Sequence, residues 1–318
     1  MKDWGVRVRH TAVAKGSYML LGQTVRNAFY FSTGLGMLGL VSAKHNLQGY
    51  TTPTGFSATD WPRAIGHAQG IVADYAKHAA LYRPGMTFAG LDVLELGPGA
   101  TLATGVLIAG LGARSYLAVD AFPLARGTPA GFYQALVEAE ADTGIDRTRL
   151  AAAAEALNGG RDSPVAYAVD PEFQVRRAAP GRSFDLIVSN AAFEHFDDIE
   201  RTIADISAVA APGALFMAMI DFQTHTRWVR ENDPNNIYRF PAPLYRALAF
   251  KGQPNRRRPR DYVAALEAHG WINPVARGIH TAPPGYSDWS QRGLAPQFRD
   301  AGAQMDVLTG VVLAARPG

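Results

Sequence analysis

The sequence predicts an α/β protein whose sheet is doubly wound and mostly parallel. From residue 91 onward, short apolar runs of strand length alternate with helical stretches, which is typical of a parallel sheet with crossover helices. The first of these runs, at residues 93–99, reads VLELGPG. It ends in a glutamate and then in two glycines spaced one apart, as a buried strand does where it breaks into a tight turn.

Length and composition exclude several classes of protein. The 318 residues suit one large α/β domain with additions or two modest domains, and a hydrophobic content of 47% is enough to build a core. The chain has no cysteine, which excludes disulfides, thiolate metal sites and cysteine nucleophiles. The formal net charge is only +3, so the charge balance does not predict binding to nucleic acid.

Residues 1 to about 85 are predicted to form a mainly helical N-terminal extension or lid, and residues 86–318 the main domain. Thr59 or Asp60 can cap a helix that has Pro62 in its first turn, where proline is well tolerated. Basic residues near the N-terminus precede an interrupted apolar run without a convincing cleavage site. We therefore predict no secretory signal and expect a cytoplasmic protein.

The segment 28–43 within this extension is uncharged and rich in aromatic residues and glycine. It is too short to span a bilayer comfortably. Two interpretations stay open for it. The segment is a buried helix or a lid over the functional site, or it is an anchor that lies on a membrane surface and gives the protein a peripheral membrane contact.

The predicted strands follow one another along the rest of the chain. They cover residues 92–96, 116–119, 165–169, 184–189, 214–220, 271–276 and 307–315. Helices are predicted at about 100–110, at 132–158 with a break near Gly144, at about 199–210 and at 261–269, where Gly270 suits the left-handed C-terminal position. A polar, proline-rich insertion follows the fifth strand, covers residues 221–260 and is expected on the substrate side.

Acidic residues mark the ends of the first two predicted strands. Glu95 lies just before the turn formed by Gly97 and Gly99, and Asp120 ends the second strand. Missing Cβ atoms let a ligand approach the backbone closely. A glycine turn followed by an acid at the tip of the next strand is therefore typical of a site that holds the ribose of a nucleoside-type cofactor.

With these pieces in order, the chain resembles the class I S-adenosylmethionine-dependent methyltransferases over roughly residues 61–316. Four segments carry the resemblance: 93–99 (VLELGPG), 119–120 (VD), 184–195 (FDLIVSNAAFEH) and 212–215 (PGAL). They are similar to the first motif of the family, the acidic end of its second strand, its fourth strand with the following loop, and the turn before its fifth strand. The resemblance implies a Rossmann-like, seven-stranded sheet with an antiparallel last hairpin, and S-adenosylmethionine as the cofactor.

One position departs from the pattern of the family. A third glycine often stands two residues after the second, and this chain has Thr101 there. The nearest rival is a nicotinamide-binding fold. Its G-x-G-x-x-G pattern requires glycine at position 102, where the chain has Leu102.

The strand ends and the resemblance together suggest a cofactor-binding set, which comprises Glu95, Gly97, Gly99, Asp120, Phe122, Asp170 and Asn190. The glycine turn would pass under the methionine and ribose parts of the cofactor. Glu95 would face its ammonium group, because a buried carboxylate needs a partner. Asp120 would accept hydrogen bonds from both ribose hydroxyls, with a helix N-cap as its alternative role.

The other three members of this set each have an ordinary structural alternative. Phe122 packs on the adenine ring or is a core phenylalanine. Asp170 accepts a hydrogen bond from the adenine amino group or is a turn residue before a proline. Asn190 contacts a ligand at the crevice along the sheet edge or shapes a turn there.

Two histidines are candidate catalytic bases. Methyl transfer from a sulfonium gains rate from proximity and alignment, and a hydroxyl acceptor also benefits from a base with a near-neutral pKa. His195 follows the fourth predicted strand and His225 the fifth, so both loops open on the same edge of the sheet. The alternative role for each is a hydrogen-bonded loop histidine. Glu194 and Asp221 would orient a histidine or bind a substrate amine.

The densest charge cluster comprises Arg256, Arg257, Arg258 and Arg260. Three interpretations stay open: a solvated basic turn, bidentate binding of an anionic substrate by Arg256 and Arg257, and contact with nucleic acid or acidic lipid. The position between the insertion and the next helix favours a substrate-side loop.

We expect methyl transfer to a small-molecule or saccharide-type acceptor, at oxygen rather than at nitrogen. The alternative is a protein that binds the cofactor without methylating, as a scaffold or a non-methylating enzyme. No metal is expected, because the other six histidines show no ligand spacing and no compact carboxylate set indicates magnesium. No nucleic-acid partner is expected, and the oligomeric state is left open.

Overall fold

A computed structural model of the chain describes residues 22–48, 60–140, 145–159 and 163–318. Three features considered above lie outside the described residues: the basic N-terminal residues, Thr59 as a helix cap, and the break near Gly144. The segment 28–43 and the predicted strands lie within them.

Within the described residues, seven strands form the sheet. They are β1 Asp92–Leu96, β2 Ser115–Asp120, β3 Val165–Val169, β4 Phe184–Asn190, β5 Ala210–Asp221, β6 Ile272–Thr281 and β7 Val307–Ala315. Their order in the sheet is β3-β2-β1-β4-β5-β7-β6. The first five strands pair in parallel, and β7 runs antiparallel to both β5 and β6. The predicted doubly wound, mostly parallel sheet with an antiparallel last hairpin is confirmed.

The helices connect these strands and precede them. In the described residues they are α1 Gln23–Gln48, α2 Trp61–Tyr82, α3 Ala103–Gly110, α4 Ala130–Ala139, α5 Arg147–Gly159, α6 Val175–Ala178, α7 Ile199–Val209, α8 Arg227–Asn232, α9 Ala242–Ala247, α10 Pro259–Ala268 and α11 Tyr286–Ser290. The side chain of Asp60 accepts a hydrogen bond from the backbone N–H of Arg63 at 3.2 Å, so the predicted cap of α2 is confirmed. Asp198 caps α7 in the same way.

Strand limits match the prediction in the first half of the sheet and differ in the second. β5 begins at Ala210 and runs through a turn in which Gly213 has a φ of +73°. β6 extends to Thr281, beyond the predicted end at residue 276. It pairs with β7 over this length, so hydrogen bonding to a long neighbour extends the strand through mostly exposed residues that carry no strand pattern.

Helices cover both faces of the sheet. One face packs on α2, α3, α4 and α5, through buried residues that include Tyr75, Val106, Leu136 and Leu150. The other face packs on α7 and α10, through residues that include Ile203 and Leu266. Two apolar layers thus hold the strands, and the edge formed by their carboxyl ends is left for the functional site.

Helix α1 packs against the insertion after β5. Its buried residues recur every four positions and so share one face: Tyr30, Gly34, Leu38 and Ser42. The side-chain amide of Asn236 donates to the carbonyl of Tyr30 at 2.8 Å, and Arg239 donates to Oδ1 of Asn27 at 2.5 Å. In the part of the chain that the structure describes, no helix combines the length and the apolar character that crossing a membrane requires.

Candidate active site

The carboxyl ends of β1, β2 and β4 open into a cavity of about 1550 Å³. The glycine turn, the loops after β4 and β5, and side chains of α1 and α2 form its walls. In sheets of this type, ligands bind where the strand order reverses, which here lies between β1 and β4. Pockets for one small ligand usually measure about 300–1,000 Å³, so this cavity has room for two ligands side by side.

We call Glu95, Gly97, Gly99 and Asp120 the glycine-turn group. The φ angles of Gly97 and Gly99 are +71° and +73°, in the left-handed region that favours glycine. A Cβ atom on Gly97 would lie 2.5 Å from Cβ of Ala192 in the loop after β4. A Cβ atom on Gly99 would meet no described atom within 4 Å, and Gly99 lines the cavity. The turn is therefore tightly packed at the first glycine and open to a ligand at the second.

Glu95 is a buried acid at the edge of the cavity, with an exposed fraction of 2%. Its Oε1 accepts a hydrogen bond from the hydroxyl of Tyr75 at 3.3 Å, and its Oε2 accepts one from the hydroxyl of Tyr116. Burial raises the pKa of Glu95 to about 8; the hydrogen bond from Tyr75 opposes this shift and the charge of Asp120 adds to it. A cationic ligand group beside Glu95 would stabilise its charged form.

Asp120 ends β2 and lines the same cavity, with an exposed fraction of 7%. Its Oδ1 accepts a hydrogen bond from the backbone N–H of Phe122 at 3.1 Å. Burial raises the pKa of Asp120, while backbone hydrogen bonds from Phe122, Gly99 and Ala121 act in the opposite direction. The carboxylate is thus held at the strand end with acceptor capacity left for ligand hydroxyls.

We call Glu194, His195, Asp221 and His225 the histidine cluster. The rings of His195 and His225 have centroids 4.8 Å apart and are inclined by 60°. Both rings line the cavity. They follow β4 and β5, which are neighbours in the sheet, and this is why residues far apart in sequence meet here.

The tautomer of His195 follows from its hydrogen bond. Its Nδ1 lies 2.7 Å from the carbonyl oxygen of Gly252. Because a carbonyl only accepts, Nδ1 carries the hydrogen and Nε2 of the neutral ring keeps a lone pair. Burial lowers the pKa of His195, and it lowers the pKa of His225 together with the neighbouring charge of His195.

Carboxylates complete the cluster. Glu194 has an exposed fraction of 4%, and burial raises its pKa to about 8, with a further contribution from the charge of Asp221. Among the described residues, no group hydrogen bonds to its Oε2. Oδ2 of Asp221 pairs with Arg230 at 2.6 Å and lies 3.8 Å from Nε2 of His225. The histidine side chain is about one-third exposed, at 32%.

A comparison with protein families identifies the chain. The family model described as a methyltransferase domain matches residues 63–273. The chain belongs to the class I S-adenosylmethionine-dependent methyltransferases. S-adenosylmethionine is therefore its cofactor. No protein among the curated sequences matches the chain.

Several solved structures are similar to this methyltransferase at low identity. CurJ carbon methyltransferase is 15% identical with a TM-score of 0.42, and the match covers 78% of this chain and 54% of the CurJ chain. Phosphoethanolamine N-methyltransferase 2 of Haemonchus contortus is 14% identical with a TM-score of 0.43, and the match covers 77% of this chain and 53% of the other chain. A Mesorhizobium loti S-adenosylmethionine-dependent methyltransferase is 17% identical with a TM-score of 0.42, covering 77% and 100%. The chain spans about half the length of the first two.

Of the three remaining residues predicted to bind the cofactor, two line the cavity and one does not. Phe122 and Asn190 line the cavity, and Nζ of Lys251 lies 4.9 Å from the centre of the Phe122 ring. Asp170 does not belong to the cavity wall. Its two carboxylate oxygens accept hydrogen bonds from Arg177 at 2.5 and 2.6 Å, and this pairing lowers the pKa of Asp170. Asp170 thus holds the turn after β3.

The predicted arginine pair also lies outside the cavity wall. Arg256 donates to the carbonyls of Ile237 and Phe240 at 3.2 and 2.7 Å, and Arg257 is exposed. The neighbouring Arg258 is fully buried and donates to three carbonyls, those of Ala303, Gln304 and Val307. These contacts hold the insertion together and join it to the C-terminal segment, and the geometry of the cavity gives no support to substrate binding by Arg256 and Arg257.

Three further residues at or behind the cavity wall carry no signal in the sequence that marks them as part of the site. Tyr75, the donor to Glu95, lies on the buried stripe of α2, where helical spacing indicates burial but not the contact. Arg201 of α7 and Lys251 of the insertion bring positive charge to the wall. No local signal marks them, because the topology alone brings these segments to one sheet edge.

Proposed function

We propose that this methyltransferase transfers a methyl group to a hydroxyl oxygen of a small, saccharide-type acceptor bound in the cavity. The observation that carries the proposal is the environment of His195, whose Nδ1–H is bound to the Gly252 carbonyl and whose Nε2 keeps a lone pair. A hydroxyl must lose a proton during methylation, whereas a neutral amine already offers a lone pair. A neutral imidazole at the cavity wall therefore suits an oxygen acceptor better than a nitrogen acceptor.

The glycine-turn group fits the cofactor chemically. The open space at Gly99 admits a ligand against the backbone, Asp120 provides acceptors for ribose hydroxyls, and Glu95 provides a negative charge for an ammonium group. When bound, S-adenosylmethionine supplies a methyl group that its positively charged sulfur has already activated. The chain's task is then alignment of the acceptor and removal of one proton.

The histidine cluster would perform that task. Nε2 of His195 takes up the proton of the acceptor hydroxyl, and the Gly252 carbonyl stabilises the protonated ring at Nδ1–H. The ring of His225, 4.8 Å away, limits the orientation of His195. Asp221 balances the positive charge that develops on His195, because its negative charge acts to raise the pKa of that ring.

The cavity wall supports a polar acceptor. It carries charged residues of both signs, which include Asp60, Arg63, Asp197, Arg201 and Lys251. Such side chains can donate to and accept from several hydroxyl groups of one ligand. Leu38, Val41 and His45 of α1 also line the cavity, and this position supports a role for the 28–43 segment as a lid over the acceptor.

Matched acceptors test the proposal. The purified chain is first titrated with S-adenosylhomocysteine by calorimetry and then incubated with methyl-labelled S-adenosylmethionine and pairs of sugars and amino sugars of the same ring. We expect binding of S-adenosylhomocysteine and label in methyl ethers of the hydroxyl compounds. Label on amino groups alone, or no binding of S-adenosylhomocysteine to the folded chain, would overturn the proposal.

A further inference from the structure

We propose that Glu194, His195 and His225 form a binding site for a divalent transition-metal cation. One carboxylate oxygen of Glu194 and one ring nitrogen of each histidine lie within 4.8 Å of one another. Two ligand atoms that share an ion at about 2.1 Å are at most about 4.2 Å apart, so small rotations of these side chains complete the geometry. Binding of a cation at these three residues does not depend on the proposed function, whereas a role of the cation in catalysis rests on it.

The unpaired oxygen of Glu194 is the second observation. Glu194 has an exposed fraction of 4%, and among the described residues Oε2 has no hydrogen-bond partner. A buried carboxylate oxygen without a partner is unfavourable, and native proteins usually satisfy such atoms. A cation held between the carboxylate and the two rings would satisfy it.

The histidines are oriented for coordination. Nδ1 of His195 lies 2.7 Å from the carbonyl oxygen of Gly252 and donates its hydrogen to it, so the lone pair of Nε2 remains for coordination of a cation. Histidine ligands of metals characteristically donate their other ring N–H to a carbonyl or carboxylate in this way. His225 has Asp221 at 3.8 Å from its Nε2, as an outer partner or a further ligand.

The local charge also favours a cation. Asp221 supplies a negative charge that Arg230, at 2.6 Å, balances, and Glu194 would bind the cation as a charged carboxylate. Two neutral imidazoles and one carboxylate are a borderline ligand set. Such a set suits Zn²⁺, Fe²⁺, Co²⁺ or Mn²⁺ better than Ca²⁺ or Mg²⁺, which prefer oxygen ligands. This inference departs from our expectation of no metal, because only the fold brings His225 beside Glu194 and His195.

A cation and an imidazole base are alternative ways to activate the acceptor, because a lone pair that binds a metal cannot take up a proton at the same time. A cation bound here would lower the pKa of an acceptor hydroxyl that coordinates it, as it does for bound water. The O–H bond then breaks with its electron pair left on oxygen, and the proton passes to water. The histidines would in that case serve as ligands.

Cobalt provides the direct test. The full chain, stripped with a chelator, is titrated with Co²⁺ while visible absorption and calorimetry are followed. We expect one equivalent to bind, and the substitutions Glu194→Gln, His195→Asn and His225→Asn each to weaken binding by about tenfold or more. The control is His269→Gln, because His269 forms a surface pair with Glu200 at 3.4 Å and should leave Co²⁺ binding unchanged.

The possible results separate the two proposals. Absence of saturable Co²⁺ binding would overturn the cation site. So would an affinity for Co²⁺ in the three substituted proteins equal to that of the unsubstituted chain, provided that their circular dichroism spectra show the native fold. A chelated, metal-free chain that still methylates hydroxyl groups would leave the proposed function standing without a metal role. A chain that binds Co²⁺ at this cluster but transfers no methyl group to hydroxyls would retain the site and lose the proposed function.

Discussion

The glycine-turn group and the two rings of the histidine cluster line one cavity, but the two groups are built differently. The glycine-turn group comes from one strand, its turn and the end of the adjacent strand, so a short stretch of sequence with a fixed order specifies it. The histidine cluster combines loops after β4 and β5 with a carbonyl from the insertion. A local motif can therefore be recognised in the sequence, whereas an assembled cluster depends on which strands become neighbours.

Substitutions in the two groups should also impair different properties of the protein. Changes in the glycine-turn group should affect binding of the cofactor and the stability of the turn. Changes in the histidine cluster should affect turnover while the cofactor still binds. The following predictions test this contrast, beginning with the largest expected effect.

Replacing His195 by asparagine should lower kcat by about 100-fold to 10,000-fold, the usual contribution of a general base. Asparagine keeps a side-chain N–H near the position of Nδ1 that can still donate to the Gly252 carbonyl, and it lacks the Nε2 lone pair. Calorimetry should show an affinity for S-adenosylhomocysteine within about threefold of the wild type. A loss of cofactor affinity equal to the loss of turnover would remove the contrast between the two groups.

Replacing Asp120 by asparagine should weaken binding of S-adenosylhomocysteine by about 100-fold, because hydrogen bonds to a charged acceptor contribute about 1.5–3 kcal/mol each. Asp170→Asn is the matched control, since Asp170 is also a buried aspartate just after a strand but pairs with Arg177 outside the cavity wall. Its affinity should stay near that of the wild type. Equal losses of affinity for S-adenosylhomocysteine in both proteins would contradict direct binding of the cofactor by Asp120.

Alanine substitutions at the two glycines should separate packing from ligand access. Gly97→Ala should lower the free energy of unfolding by about 2–4 kcal/mol, because left-handed backbone strain adds to a Cβ contact with Ala192. Gly99→Ala should cost only about 1–2 kcal/mol of backbone strain and should instead weaken cofactor binding. Denaturant unfolding and calorimetry measure the two effects. A larger loss of stability at Gly99 than at Gly97 would contradict the assignment.

Glu95→Gln should reduce the loss of stability of the ligand-free chain between pH 5 and 8. Burial raises the pKa of Glu95 from 4.5 to about 8. Between these values the folded chain binds more protons than the unfolded chain, so stability falls as the pH rises and levels off above pH 8. We expect the drop in Tm over this range to shrink by about 2–4 °C in the glutamine protein. Identical drops in both proteins would count against the buried, protonated state.

Much of the fold could be predicted because its signals are local. The first four strands are short, mostly apolar runs, and their limits in the structure lie within one residue of the predicted limits. β6 was less predictable, because its second half is exposed and is held by pairing with β7. Its extent is thus set by a partner strand that is distant in sequence.

The site could be predicted where a motif marks it, or where strand order brings residues to one sheet edge, as it does for the two histidines. Glu95 lies just before the glycine turn and Asp120 ends the adjacent strand, and this order indicated that both residues line the cavity. Arg256 and Arg257 were expected to bind an anionic substrate because they lie between the insertion and the next helix, with a solvated basic turn as an open alternative. The fold instead uses the backbone carbonyls of Ile237 and Phe240 as partners for Arg256, and no sequence pattern announces such partners.

The buried guanidinium of Arg258 restricts how the insertion can move relative to the C-terminal segment. Separating the insertion from residues 303–307 would strand a positive charge without partners in the interior, at a high cost in free energy. We therefore expect the insertion and the hairpin formed by β6 and β7 to move together as one rigid unit. Helix α1 is bound to the insertion through the hydrogen bond from Asn236 to the carbonyl of Tyr30, so we expect α1 to follow this unit.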